Sequence, residues 1–442
     1  MQISPPEDEL RRAILDLKSQ HPALGISKVH AYLLAMYPQW TVSEKRTRKI
    51  LQSEGLTGSG SSGPSYDTSI ALYPTSRVIP HLDTRRWSPR VAVRYFDNKK
   101  GKGLIATEDI AQGETMWRED PFIIAPEWEI YDLQTSSVAC AFCTTPLIPD
   151  SPLVLSCPST STSSMASSST HRCNVRFCNR LCQSRSAKTH PLLCPTQNPA
   201  SIPLLKFASE ARWMALHAVT QMTSRILLAN QQQNDFGVDA EWLFIKALAE
   251  MGMEERYKYS FKSPGHGEPD REIWKRAYEL YLQAFKEPKT PLEQKKLGRL
   301  LKKHLRSDIE QDLFTYNGFL RSLGKMNLNL EAHGGLYTLH SHLNHHCEPN
   351  LSVRHLDQRN ALARITVLAK RDIRMGEELF VSYVDPSMSL RARRAGLEAW
   401  GFGECRCSRC VGVEGAATAG GEVKDDMMES LERELKAGLG VM

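Results

Sequence analysis

Eleven cysteines in a chain of 442 residues, most of them in closely spaced sets, constrain this fold more than any other feature. Cys140 and Cys143 form CxxC, Cys178 and Cys182 form CxxxC, and His190 and Cys194 form HxxxC, with Cys157 and Cys173 between them. Each close pair sets two soft ligands within reach of one tetrahedral zinc, so the eight ligands between residues 140 and 194 imply two ions. Cys405, Cys407 and Cys410 (CxCxxC) supply three more thiolates. Disulfides are the alternative, and the opening MQISPPEDEL argues against them, because it is polar and acidic and unlike a secretory signal. No apolar run approaches the ~20 residues that cross a bilayer. The expectation is a soluble, intracellular protein with no membrane contact and with thiols free to bind metal. At 41% apolar and 24% charged residues, the chain can bury cores for two or three domains. A net charge of +6 permits acidic partners such as nucleic acid without demanding them.

Residues 7–55 read as a small helical module. Glu9 to Lys18 is helical, Gly25 breaks the run, Ser27 caps a second helix through Met36, and a third helix runs from Glu44 to Ser53. The third carries Lys45, Arg46, Arg48 and Lys49. Residues 24–51 resemble a helix-turn-helix of the transposase type, which implies contact with nucleosomal DNA; a small bundle with a solvated basic face fits the same residues. Residues 56–88 open with a Gly/Ser/Pro-rich run and read as a flexible linker. Val91 to Phe96 is a strand, followed by Gly101-Lys102-Gly103, whose glycines allow close backbone approach to a ligand. Apolar spacing makes residues 201–320 mainly helical, with continuous runs over 203–219, 240–252 and 271–285. Leu292 to Arg306 places Leu297, Leu300, Leu301 and Leu305 on one helix face, with lysines elsewhere that suit an acidic partner. The tail beyond Val411 is Gly/Ala-rich and then acidic.

The densest chemistry lies between Leu339 and Tyr383. Asn344-His345-His346-Cys347-Glu348-Pro349-Asn350 crowds polar groups around a proline, too many for plain core, since each buried Asn and His needs partners. Met375 to Glu378 forms a turn, and Leu379 to Tyr383 alternates as a strand. NHxCxPN, then GEELxxxY, then CxCxxC, in that order, resembles the C-terminal half of the SET domain of protein lysine methyltransferases. Upstream, the KGxGLxA loop resembles the opening of such a domain. The eight-ligand block resembles a MYND finger, in which the first and third ligand pairs share one metal and the second and fourth the other. That pattern assigns Cys140, Cys143, Cys178 and Cys182 to one zinc, and Cys157, Cys173, His190 and Cys194 to the other. Here the sequence departs from the family: a Ser/Thr-rich insert separates Cys157 from Cys173, and His171 is an alternative to Cys173. The same resemblance lets Cys347, the cysteine left over, complete a third zinc with Cys405, Cys407 and Cys410.

The resemblance to SET-and-MYND lysine methyltransferases covers about residues 90–410 and is closest to fungal histone-lysine methyltransferases acting on histone H4. It implies a mixed α+β protein: a β-rich SET fold split by a MYND-type finger and a helical insert, with a post-SET zinc site and an N-terminal helical module. The boundaries follow as 7–55 (helical module), 56–88 (linker), 89–135 (first part of SET), 140–194 (finger), 195–330 (helical insert), 331–388 (SET core), 389–411 (post-SET segment) and 412–442 (tail). The cofactor implied is S-adenosylmethionine, held by Lys102, Gly103, Asn344, His345 and Phe402, with Tyr383 both touching it and orienting the incoming amine. A histone or other protein lysine is the implied substrate, a peptide the partner of the finger, and nucleus and cytoplasm, with chromosome association, the location. Two rivals stand beside this reading: a scaffold with an inactive SET fold, and a zinc-dependent nucleic-acid binder.

Overall fold

The fold joins segments more than two hundred residues apart, and hydrogen bonds of the backbone decide how. In the computed structural model the residues described are 4–21, 24–53, 74–79, 82–97, 100–161, 172–232, 235–260, 270–355, 363–399 and 402–412. The Ser/Thr-rich insert with His171, most of the linker's Gly/Ser run and the acidic tail lie outside them. The chain divides into two units, Met1–Ile70 and Ala71–Met442.

In the first unit, helices Glu7–Gln20, Ile26–Met36 and Glu44–Ser53 close on a core that includes Leu10, Ile14, Leu33 and Ile50. Ser27 does not cap the second helix. Gly25 holds the N-cap position, and the Ser27 hydroxyl donates to Glu44 Oε1 at 3.0 Å instead, tying the second helix to the third.

Among the described residues the second unit holds eleven short strands: β1 Val91–Asp97, β2 Gly101–Ala106, β3 Thr115–Glu119, β4 Ile123–Ile124, β5 Leu155–Ser156, β6 Arg176–Phe177, β7 Gly335–Leu336, β8 Asn344–His345, β9 Leu351–Arg354, β10 Ile365–Ala369 and β11 Glu378–Val381. The hairpin β1–β2 turns where Asp97 meets Gly101, whose φ of +71° suits glycine. β11 pairs antiparallel with β2, and β8 runs parallel to β11 on its other edge, with Phe380 opposite Asn344 and Val381 opposite His345. β3, β10 and β9 form a second sheet in that order, β4 pairs with β7, and β5 with β6. Leu104, Leu339, Ile365, Val367 and Leu379 fill the core that the larger sheets share. The strands are short, and helices carry more of the chain.

Three expectations change in the helical body. The run over 203–219 breaks into Ile202–Glu210 and Met214–Asn230, with Arg212 at φ +46° in the joint. The helix expected through Arg306 is Pro291–Leu300, begun by a Thr290–Glu293 capping box; Leu301 and Leu305 still pack on the core, but from the loop beyond it. The end of the expected linker is built into the body: Thr75 and Glu250 exchange backbone hydrogen bonds of 3.0 and 2.7 Å, and Ile79 is buried among the helices. An apolar side chain and two satisfied backbone groups outweigh the local composition there.

Asn350 fastens the turn after β8 to β11. It is fully buried, its Nδ2 donates to Glu377 Oε1 (3.0 Å) and to the Glu378 carbonyl (2.8 Å), and its Oδ1 accepts from Phe380 N (2.7 Å). Asn350→Ala would strand a buried N–H and a buried carbonyl, each of which costs energy when unpaired. The variant should lose about 3 kcal/mol in urea unfolding; a loss under about 1 kcal/mol would mean the turn is held by its other contacts.

Candidate active site and metal groups

Three sets of ligands converge. Cys140, Cys143, Cys178 and Cys182 form one, Cys157, Cys173, His190 and Cys194 a second, and Cys347, Cys405, Cys407 and Cys410 a third, with the ligand atoms of each set within 4.8 Å of one another. Local structure explains each meeting. Asn179 Oδ1 accepts from Cys182 N at 2.9 Å, starting the helix Arg180–Ser186 so that Cys178 and Cys182 face the same point. The β5–β6 pairing, with Cys157 N donating to the Val175 carbonyl, brings Cys157 and Cys173 together at the base of the insert. In the third set Arg409 Nη1 donates to the Cys347 carbonyl at 2.8 Å, drawing the C-terminal segment onto the turn after β8.

The spacings suit a metal. A disulfide would bring sulfurs to about 2.0 Å, whereas a tetrahedron with ~2.3 Å metal–sulfur bonds has edges of about 3.8 Å. The distances are 3.6 Å for Cys143–Cys178, 3.4 Å for Cys178–Cys182, 3.9 Å for Cys157–Cys194, 3.5 Å for Cys173–His190 Nε2, 3.9 Å for Cys347–Cys405 and 3.5 Å for Cys347–Cys410. All three groups could hold a metal ion.

Beside the third group lies a cavity of about 780 Å³, bordered by Lys102, Asn344, His345, Tyr383 and Phe402. The Tyr383 hydroxyl donates to the Leu343 carbonyl at 2.6 Å, and its ring leans on His345 (centroids 5.4 Å apart) and Phe402 (5.0 Å). Burial, followed by the charges of Glu331 and Glu378, pushes the hydroxyl's pKa up, so it remains protonated. The strand expected to reach Tyr383 stops at Val381, because Tyr383 N donates to the His345 side chain (Nδ1, 3.0 Å) and leaves the ladder. His345 therefore carries its proton on Nε2, which lies 3.3 Å from Cys347 Sγ. Burial, aided by His346 and Arg393, lowers its pKa to about 4.

Asn344 commits both amide hydrogens inside the protein, to the Lys102 carbonyl (3.0 Å) and to Glu378 Oε1 (2.9 Å). Gly103 makes this contact possible: a Cβ there would stand 2.7 Å from Asn344 Nδ2 and 2.7 Å from the Phe96 ring. Lys102 borders the cavity, and its carbonyl is the one that accepts from Asn344. Its ammonium donates to the Ala247 carbonyl (2.8 Å) at the C-terminus of helix Asp235–Ala247, and burial lowers its pKa to about 7. Sequence reasoning gave no role to Glu378, which also pairs with Lys100, or to the Leu343 carbonyl and Glu331. Glu378 stood within the quoted GEEL run; the other two carry no local signal.

Residues 213–384 match the SET domain family. The match begins inside the helical body and omits β1 and β2, although the sheet pairs β2 with β11. The chain is 29% identical to histone-lysine N-methyltransferase SET5 of Mycosarcoma maydis, over 93% of this chain and 84% of that protein. It is 28% identical to the SET5 protein of Yarrowia lipolytica, over 93% and 83%. A crystal structure of the SET domain of LSMT bound to lysine and AdoHcy overlaps 70% of this chain and 52% of that one, at 13% identity and a TM-score of 0.26, too loose a fit to carry an argument. The chain thus spans about half of that solved chain but most of its curated relatives. The chain carries a SET domain and is a methyltransferase.

Proposed function

We propose that the chain is an S-adenosylmethionine-dependent protein-lysine N-methyltransferase whose substrate is a histone tail, that of histone H4, and that it acts in chromatin regulation. The observation carrying this reading is the Tyr383 hydroxyl, pinned to the Leu343 carbonyl inside a cavity that Asn344 and His345 also border. The cavity's 780 Å³ falls within the roughly 300–1,000 Å³ of small-molecule sites. The donor set also fits a cationic ligand. Tyr383 gives its hydrogen to Leu343, so the lone pairs of two oxygens meet at one point and favour positive charge there. The histone itself comes from the relatives' names.

Bound there, S-adenosylmethionine supplies a methyl group on a positively charged sulfonium. Lys102, Asn344, His345 and Phe402 would hold it beside Tyr383. The attacking amine must be neutral, and free lysine has a pKa near ~10.4. Apolar walls such as Leu343 and Phe402 disfavour the ammonium by desolvation and so release the amine lone pair. Tyr383 stays protonated and orients that amine, so positioning supplies much of the rate.

The interleaved ligand sets support three structural zincs arranged as in a MYND finger and a post-SET segment. Exposed Val138, Ile148, Leu153 and Leu181 around the first two sets support a peptide partner there. Support for DNA contact by the N-terminal module is thinner. Arg46 is spent on Ser4 Oγ and the Pro5 carbonyl, and Arg48 on Glu44, which leaves Lys45 and Lys49 as the exposed cations of that helix without a partner among the described residues. Nuclear and cytoplasmic residence with chromosome association accords with a histone substrate. A scaffold with an inactive fold is disfavoured by the intact arrangement of Tyr383, Asn344 and Gly103.

Labelled S-adenosylmethionine offered with separate histones, free and in nucleosomes, should mark one of them. Tyr383→Phe should slow transfer about 100-fold while calorimetry still detects cofactor binding; equal rates would remove Tyr383 from the chemistry. Atomic emission should find three zincs per chain, falling by one in Cys405→Ser, and a chelator strong enough to strip them should abolish labelling. Two ions in the wild type, unchanged in Cys405→Ser, would refute the third site.

A further inference from the structure

The same cavity has a stretch of wall that the proposed transfer does not use. Residues 326–332, the last turn of helix Tyr316–Asn329 and the bend beyond it, line it together with His340. Glu331 stands in that bend, its side chain 35% exposed, with His340 Nδ1 3.3 Å from Oε1. His340 is 7% exposed, and its Nε2 is buried with no hydrogen-bond partner. A hydrogen on Nε2 would be a buried donor without an acceptor, so the proton sits on Nδ1 and points at Glu331. That contact holds the carboxylate in place.

Among the described residues no lysine or arginine pairs with Glu331. Of the lysines bordering the cavity, Lys100 is taken by Glu378 and Lys102 faces the Ala247 carbonyl; Lys370 is exposed. The charge of Glu331 is nevertheless felt at Tyr383, where it is among the influences on the hydroxyl. An oriented carboxylate with no lysine or arginine partner among the described residues, in electrostatic reach of the reacting position, suits a positive group arriving with the substrate.

We infer that Glu331 is a specificity-determining residue that receives a second cationic side chain of the substrate, so that the enzyme prefers a target lysine flanked by lysine or arginine. This rests on the lysine-transfer reading above and names the substrate class within it.

The test uses two fluorescent peptides of one sequence, a target lysine flanked by arginines or by citrullines, against the full-length zinc-replete protein and its Glu331→Gln and Glu331→Asp variants. Binding is read by anisotropy and transfer by label incorporation. The wild type should bind the arginine peptide about fivefold more tightly. Glu331→Gln should erase that preference, through KM more than kcat, and Glu331→Asp should restore part of it. Equal weakening of both peptides would mean a merely structural role, and an unchanged preference would place the selecting charge elsewhere; either overturns the inference. A Glu331-dependent preference in binding without any transfer would sustain this inference and sink the lysine-transfer reading. Transfer to both peptides at equal efficiency would do the reverse.

Discussion

Strand β11 lies between β2, some 270 residues before it, and β8, about thirty residues before it, and the site exists only because both edges are held. Four residue pairs make those edges, too few for backbone hydrogen bonds to fix the arrangement unaided. Side-chain amides, one buried and one half-buried, supply what the short strands lack. Asn350 bonds to three groups of the turn and strand 377–380, and Asn344 bonds to the Lys102 carbonyl and Glu378. Each bond adds about 1 kcal/mol net, but leaving a partner unmade inside the protein costs more, so the arrangement is selective as well as stable. Gly103 belongs to this device, since its missing side chain is the space Asn344 occupies.

The ligand groups solve a related problem outside the main cores. Residues 140–194 have few apolar side chains to bury besides Phe177 and its neighbours, and their cysteines account for much of what is buried there. Segment 402–410 has little core of its own, yet Phe402 must lie against Tyr383. Converging thiolates could fix such segments with little apolar area, because a bound metal would replace packing as the source of order. The third group also couples two tasks, since Cys347 follows His345 by two residues and His345 in turn holds Tyr383 N.

Features set by short-range geometry were legible in the sequence, and those set by distant partners were not. The spacings CxxC, CxxxC, HxxxC and CxCxxC pointed to ligand sets because residues two to four apart face one point whatever the rest of the chain does. That Cys157 meets Cys173 across the insert came from family resemblance, since nothing local requires it. Strand β11 looked as if it continued to Tyr383 because alternation persists, but a histidine side chain captures that N–H. Ser27 looked like a cap, and found Glu44 on another helix. The segment around Thr75 has the composition of a linker, and pairs with residues 247–250 because buried backbone groups must be satisfied. Glu331 was silent for the same reason: only the tertiary fold brings it to the cavity.

Charge ties these points to catalysis. The cavity borders three classes of group that would interfere with methyl transfer if they titrated freely: a phenol, an imidazole and a lysine. Each is shifted by burial from its ordinary pKa. Tyr383 keeps its proton because burial and nearby carboxylates disfavour the phenolate. His345 stays neutral because burial and its cationic neighbours disfavour the imidazolium. The Lys102 side chain donates to a helix-end carbonyl, and burial lowers its pKa. Asn344, which ties β11 to the Lys102 carbonyl, thus links the sheet to the groups that border the cavity.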